Sequence, residues 1–151
     1  MIRKFRMSDL EPIVKIEEQA FPKQPYNRST FLYFASAYPA NFLVYLEAAK
    51  IAGYLIYYPS GHIVSIAVHP AYRRIGVGTK LVATVLKRTG GCAMVEVRER
   101  NETARKFYTH LGFSMYTVIP AYYGDEDAVV MVRSGTDGHD LKLKNPCRYR
   151  S

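Results

Sequence analysis

The stretch Arg73-Arg74-Ile75-Gly76-Val77-Gly78-Thr79-Lys80 packs two arginines, two glycines and a lysine into eight residues between two apolar runs. Upstream, Ile63 to His69 reads as a strand; downstream, Thr79 to Lys87 reads as a helix. Glycines let a backbone pass close to a ligand without a Cβ in the way, and the first N–H groups of a helix have no partner inside it. A turn of this composition can hold an anion, with the helix dipole adding to the attraction. On spacing alone the same residues could simply reverse the chain and leave the arginines in solvent, so the surrounding elements have to decide.

Gly90-Gly91 stops the helix that the turn opens, and Cys92 to Arg98 then forms a strand rich in β-branched residues. Strand, turn, helix and strand make a βαβ crossover, so the two strands are expected to run parallel with their C-terminal ends together, where open sheets bind ligands. Asn101 is a good N-cap for the next helix, which Gly112 ends. Two final strands, near Phe113 to Ile119 and Ala128 to Arg133, flank a loop containing Tyr122 and Tyr123. Toward the N-terminus, residues 2 to 6 alternate as a short strand, and Ser8-Asp9-Leu10-Glu11 has the form of a capping box for a helix reaching about Ala20. Phe21-Pro22-Lys23-Gln24-Pro25-Tyr26 breaks that helix, because neither proline can continue it. A second helix, Ser29 to Ala37, and a hairpin of Asn41 to Glu47 with Ile51 to Tyr58 follow, the hairpin turning near Ala49-Lys50. The order β-α-α-β-β-β-α-β-α-β-β implies an α/β layer protein with a mixed sheet.

The chain has 151 residues, the usual size of one domain, with 48% hydrophobic and 23% charged residues, which excludes wholesale disorder. Its net charge of +8 favours a polyanionic partner such as nucleic acid, a ribosome or a phosphorylated cofactor. Cys92 and Cys147 offer neither a disulfide framework nor metal-ligand spacing, so an intracellular, cytoplasmic location without a metal is the default expectation. No apolar run reaches bilayer-spanning length, and Met1-Ile2-Arg3-Lys4-Phe5-Arg6 lacks a signal-peptide core, so no membrane association is expected.

Ile63-Val64-Ser65-Ile66-Ala67-Val68-His69-Pro70-Ala71-Tyr72-Arg73-Arg74-Ile75-Gly76-Val77-Gly78 resembles the central motif of the GNAT superfamily of acetyltransferases, whose pyrophosphate-binding signature is Gln/Arg-x-x-Gly-x-Gly/Ala. Glu96-Val97-Arg98-Glu99-Arg100-Asn101-Glu102-Thr103-Ala104-Arg105-Lys106-Phe107-Tyr108, continuing through Leu111-Gly112-Phe113, is similar to the family's second motif. The resemblance covers roughly residues 2 to 133 and implies a GNAT fold: a mixed, mostly antiparallel central sheet, splayed between strands 62–69 and 92–98 and flanked by four helices. It makes residues 1–133 the acetyltransferase domain and residues 134–151 a basic, mobile tail. It also implies acetyl-CoA, with the pyrophosphate on Arg73, Arg74, Gly76, Val77, Gly78 and Thr79 and the pantetheine arm beside Ile66, Ala67 and Val68. An exposed backbone amide near Val68 would polarise the thioester carbonyl.

Two side chains suit the proton steps. Glu96 lies between apolar Val95 and Val97, where a carboxylate is costly unless paired or used; an ion pair with an arginine such as Arg98 is the alternative to catalysis. Within the resemblance, Glu96 corresponds to the general base of RimI-like N-terminal acetyltransferases and Tyr108 to the general acid. Tyr108 shares a helix face with Asn101, about 10 Å along the axis, and Asn101 and Ala104 are implied cofactor contacts.

A protein α-amine has a reference pKa near 8, so neutralising it at pH 7 costs about 1.4 kcal/mol, against roughly 4.6 for a lysine. The α-amine is the easier acceptor for one carboxylate and water. Ile119-Pro120-Ala121-Tyr122-Tyr123-Gly124-Asp125-Glu126-Asp127-Ala128 resembles the Tyr-Tyr plus Glu-Asp-Ala signature of N-terminal acetyltransferases, in which the tyrosines bind the first residues of a peptide. Phe21, Pro22 and Tyr26 sit in the loop that forms the opposite wall of the entrance in such enzymes. His62 occupies a position where some relatives carry a catalytic tyrosine; a second base, a substrate contact and a surface residue all remain open, the last being favoured. His69 and His110 read as structural or solvated. The resemblance therefore implies acetyl transfer to protein N-termini. The alternatives are a lysine or polyamine-like acetyltransferase of the same fold and a nonenzymatic acyl-CoA or RNA-binding module. The basic tail, Leu141 to Arg150, raises ribosome association as an expectation.

Overall fold

Two prolines and the caps around them shape the N-terminal half. In the computed structural model, which describes residues 1–135, β1 (Ile2–Lys4) leads through a 3-10 turn, Met7–Asp9, into α1 (Leu10–Ala20). The expected Ser8/Glu11 capping box does not form. Asp9 takes that role: it accepts the Arg6 N–H at 2.8 Å and pairs with Arg3 at 2.8 Å, leaving Glu11 to bond Arg28 at 2.6 Å. The Arg3 guanidinium holds the Asp9 carboxyl below its usual range even though burial pushes the other way and is the larger single influence. After the proline loop, Asn27 caps α2 (Arg28–Ala37), its side chain accepting the Thr30 N–H at 3.0 Å.

The hairpin of β2 (Phe42–Glu47) and β3 (Lys50–Tyr57) turns at Ala48 and Ala49, whose φ values of 48° and 65° are left-handed, one position before the expected turn. β4 (Ile63–Val68) lies next to β3, giving a four-stranded sheet in the order β1-β2-β3-β4, antiparallel from β1 to β3. β5 (Ala93–Arg98), β6 (Ser114–Ile119) and β7 (Ala128–Arg133) form a three-stranded antiparallel sheet in the order β5-β7-β6. The expected parallel contact is present as one isolated bridge, His62 with Met94. The helices α3 (Val77–Arg88) and α4 (Glu102–His110) complete the expected element order. Among the described residues no helix is long and apolar enough to cross a membrane. The expected tail, apart from Ser134 and Gly135, lies outside the described residues.

The described residues group into two compact units: Met1–Tyr58 with Val64–Thr84, and Pro59–Ile63 with residues 85–135. In the first, Ile13, Val14 and Ile16 of α1 and Phe31 and Phe34 of α2 pack with Phe42, Val44, Tyr54 and Ile56 of the sheet. Each such side chain contributes about 1.5–3 kcal/mol relative to exposure. Glu17 belongs to the same helix face and is only 2% exposed. Its carboxylate accepts the Tyr54 hydroxyl and the Tyr26 N–H (2.8 Å), and the Tyr54 oxygen is 2.8 Å from Ser65 Oγ. In the second unit β7 is the central strand, buried on both faces from Ala128 to Val132, which explains its unbroken apolar run. β5 alternates instead: Ala93, Val95 and Val97 are buried, and Met94, Glu96 and Arg98 form the more accessible face. Cys92, buried just before β5, is not a free thiol, so the cysteine count alone does not carry the intracellular expectation.

Candidate active site

The arginine-glycine turn is built from backbone that most side chains avoid. Arg74 has φ 66° and Gly76 φ 87°, both left-handed. A Cβ at Gly76 would meet nothing within 4 Å, so glycine is favoured there by conformation, not crowding. α3 starts at Val77, two residues before the expected Thr79, and its first internal bond is Lys80 N–H to Gly76 O at 3.0 Å. The amides of Val77, Gly78 and Thr79 therefore precede the helix's own ladder, while Arg73 and Arg74 stand exposed beside them. His69 stiffens the approach, its Nδ1 accepting the Ala71 N–H at 3.0 Å, which selects the structural one of the two readings, structural or solvated, that the sequence left open. Lys80 is held by the Tyr45 hydroxyl at 3.2 Å.

On β4, polar groups alternate between the two edges of the strand. His69 N–H donates to Ala52 O of β3 at 2.8 Å, and Ala67 O lies so close to β3 that a Cβ at Gly53 would approach it to 2.8 Å. The amides of Ile66 and Val68 consequently point away from β3. The expectation of an available Val68 amide is consistent with this geometry.

In the second unit, Glu96 has a side chain 16% exposed, and its Oε2 is 2.7 Å from His62 Nε2. Arg98 is not its partner: that guanidinium contacts Asp125 at 3.1 Å and Glu126 at 3.2 Å. His62 departs from the favoured surface reading, with a side chain 26% exposed and engaged by Glu96. A tight approach at Gly61 creates the pairing: φ is 93°, a Cβ would come within 2.5 Å of Cys92 O, and Gly61 O accepts the Met94 N–H at 3.0 Å. Glu96 follows Met94 by one strand repeat, on the same face. The sequence signal available was Gly61 before a histidine at the strand start.

Tyr108 is 3% exposed, with its ring 5.1 Å from Phe113 and 5.0 Å from Phe107. Burial, and then Tyr123, push its phenol well above the ordinary value. Among the described residues no buried side-chain oxygen lacks a hydrogen-bond partner, and Tyr108 makes no side-chain hydrogen bond, so its accessible remnant includes the hydroxyl. Asn101 Oδ1 accepts the Ala104 N–H at 3.0 Å, so these two residues first of all cap α4. The Tyr122 and Tyr123 rings meet edge to face at 4.9 Å. Burial foremost, then Tyr122 and Glu96, raise the Tyr123 phenol to about 12. In the first unit Phe21 and Pro22 are exposed, whereas Tyr26 is half-buried, its ring 6.0 Å from Phe31 and 6.4 Å from Phe34. Tyr26 anchors its loop.

The acetyltransferase (GNAT) family model matches residues 10–113. An uncharacterised N-acetyltransferase of Methanocaldococcus jannaschii is 37% identical, the alignment covering 88% of this chain and 90% of that protein. An N-alpha-acetyltransferase of Sulfurisphaera tokodaii is 32% identical, over 86% and 90%. Among solved structures, Ard1 from Thermoplasma volcanium superposes with a TM-score of 0.80 at 30% identity, covering 88% of this chain and 95% of that one. Motif, fold and relatives agree: the chain belongs to the acetyltransferase (GNAT) family.

Proposed function

We propose that this protein transfers the acetyl group of acetyl-CoA to the N-terminal α-amine of proteins, by direct attack within a ternary complex. The observation that carries it is the Glu96–His62 pair at 2.7 Å, which sets a carboxylate and an imidazole, two groups able to accept a proton, side by side. The named N-alpha-acetyltransferases among the relatives, and the Tyr122-Tyr123 loop, support an N-terminal acceptor over a small amine. The family match spans both units, which supports residues 1–133 as one acetyltransferase domain.

The residues present suit the group the family uses. Arg73 and Arg74, with the unladdered amides of Val77, Gly78 and Thr79, offer the cations and N–H donors that a diphosphate needs, and Gly76 leaves open space beside them. When bound, acetyl-CoA supplies an activated thioester carbonyl. Ile66, Ala67 and Val68 would hold its arm, and the Val68 amide would be the N–H donor offered to the carbonyl oxygen. Glu96, oriented by His62, takes the proton that the nitrogen must lose as its bond to carbon forms and the carbon–sulfur bond breaks. Tyr108 keeps its proton at neutral pH because burial raises its phenol. Complete transfer from such a phenol to a thiolate is uphill, a thiol being near 8.5. Tyr108 therefore stabilises the departing sulfur as a hydrogen-bond donor, and solvent completes its protonation. Tyr122 and Tyr123 hold the peptide from the second unit, and Phe21 and Pro22 are the exposed apolar residues that the proline loop of the first unit offers it. The +8 charge supports contact with ribosomal RNA, where nascent N-termini emerge.

The test is turnover on short peptides with varied first residues, beside N-terminally blocked peptides carrying an internal lysine. Acetylation of the free α-amine set is expected; acetylation confined to the blocked set overturns the assignment.

A further inference from the structure

The loop between β6 and β7 carries the two tyrosines, and a loop at a sheet end is ordinarily among the more mobile parts of a fold. Here it is tied down to the end of β5. Arg98, the last residue of β5, places Nη1 3.1 Å from Asp125 Oδ1 and 3.2 Å from Glu126 Oε1. Its guanidinium also lies over the Tyr123 ring, 4.3 Å from the centroid. The second oxygen of Glu126 accepts the Arg100 N–H at 2.6 Å, and Asp127 O accepts the Glu99 N–H at 3.1 Å. Within the loop, Asp127 Oδ1 accepts the Ala121 N–H at 2.8 Å and Tyr123 N–H donates to Glu126 O at 3.1 Å.

One side chain thus joins both carboxylates and the inner tyrosine. Because strand side chains alternate, Arg98 shares the face of β5 that carries Glu96, two residues before it. We propose that Arg98 is a positioning residue: by gripping Asp125, Glu126 and Tyr123 together it sets the Tyr122–Tyr123 wall, and so the register of a peptide N-terminus, against Glu96. The two carboxylates offset the guanidinium charge that would otherwise oppose an incoming ammonium. Arginine is needed because only a planar fork can stack on a ring while its edge bonds carboxylates; lysine keeps the charge and loses that geometry.

This inference rests on the N-terminal acetylation reading, and steady-state kinetics separate the two. With the whole chain, Arg98→Lys and Arg98→Met are compared with wild type on an amino-acid amide and on peptides of increasing length, with acetyl-CoA varied in parallel. Arg98→Met should raise the peptide KM roughly tenfold or more, and Arg98→Lys by less. Neither should shift the KM for acetyl-CoA, and the penalty should be small for the single-residue amide and grow with peptide length. A peptide KM that stays at the wild-type value in both variants overturns the proposal. So does a loss that falls equally on amide, peptide and acetyl-CoA, which would mark Arg98 as generally structural. Wild-type protein that leaves every free α-amine unacetylated overturns the N-terminal reading itself, independently of either variant.

Discussion

Two carboxylates withdrawn from solvent, one in each unit, meet opposite fates. Glu17 is 2% exposed and has both oxygens occupied by neutral donors of the fold, the Tyr54 hydroxyl on one and the Tyr26 N–H on the other. Glu96 is more accessible and uses only Oε2, against His62; among the described residues Oε1 takes no hydrogen bond. A buried acceptor left unsatisfied costs about 1–3 kcal/mol, so the folding chain supplies partners wherever it can. Where both oxygens are saturated, the group ties elements together: Glu17 joins the proline loop to β3. Where one oxygen is left over beside a titratable neighbour, the group is equipped to move a proton.

The sharpest break of that contrast is Glu96→Gln. It should lower kcat by roughly 10²–10⁴ at neutral pH and barely move the thermal midpoint. A large fall in midpoint instead would place Glu96 with Glu17 as a structural group. Glu17→Gln should do the converse: one of the two acceptor oxygens becomes an NH₂, so the Tyr54 hydroxyl must give up its bond to residue 17 and donate to Ser65 Oγ instead, costing about 1–3 kcal/mol of stability. For a chain of this size that is roughly 2–4 °C in Tm per kcal/mol. Per folded molecule, kcat on short peptides should stay near wild type, and a kcat loss without destabilisation would erase the distinction.

The smallest effect is in pH. Burial, opposed by the Tyr26 and Tyr54 hydrogen bonds, raises the Glu17 carboxyl above its ordinary 4.5. A raised group contributes stability that is fully present below the unfolded value and lost as pH climbs through the folded one. The stability advantage of wild type over Glu17→Gln, measured by denaturant unfolding, should therefore be greatest at or below about 4.5 and shrink toward neutrality. An advantage that grows with pH would mean the ionised carboxylate is the favoured form.

Much of this was legible in one dimension. Gly76 of the turn, the strand that follows Gly90-Gly91 and the Asn101 cap are set by neighbours within a few residues, and the structure reproduces each. Local signals failed where two candidates competed for one job. Ser8-x-x-Glu11 has capping-box spacing, yet Asp9 has Arg3 at 2.8 Å, and Arg28, seventeen residues on, claims Glu11.

The chain order and the residue types alone determined the family, the element sequence, the anion-ready turn and the suspicion that a carboxylate flanked by valines has work to do. Only the tertiary structure decided who meets whom: His62 with Glu96 across 34 residues, Tyr54 with Glu17 across 37, Arg98 with Glu126 across 28. The physical reason is range. Periodicity and capping follow from dihedral angles and hydrogen bonds between near neighbours, which a string of residues displays directly. A buried polar group takes whichever partner packing brings within about 3 Å, and that is known only once the elements have come together.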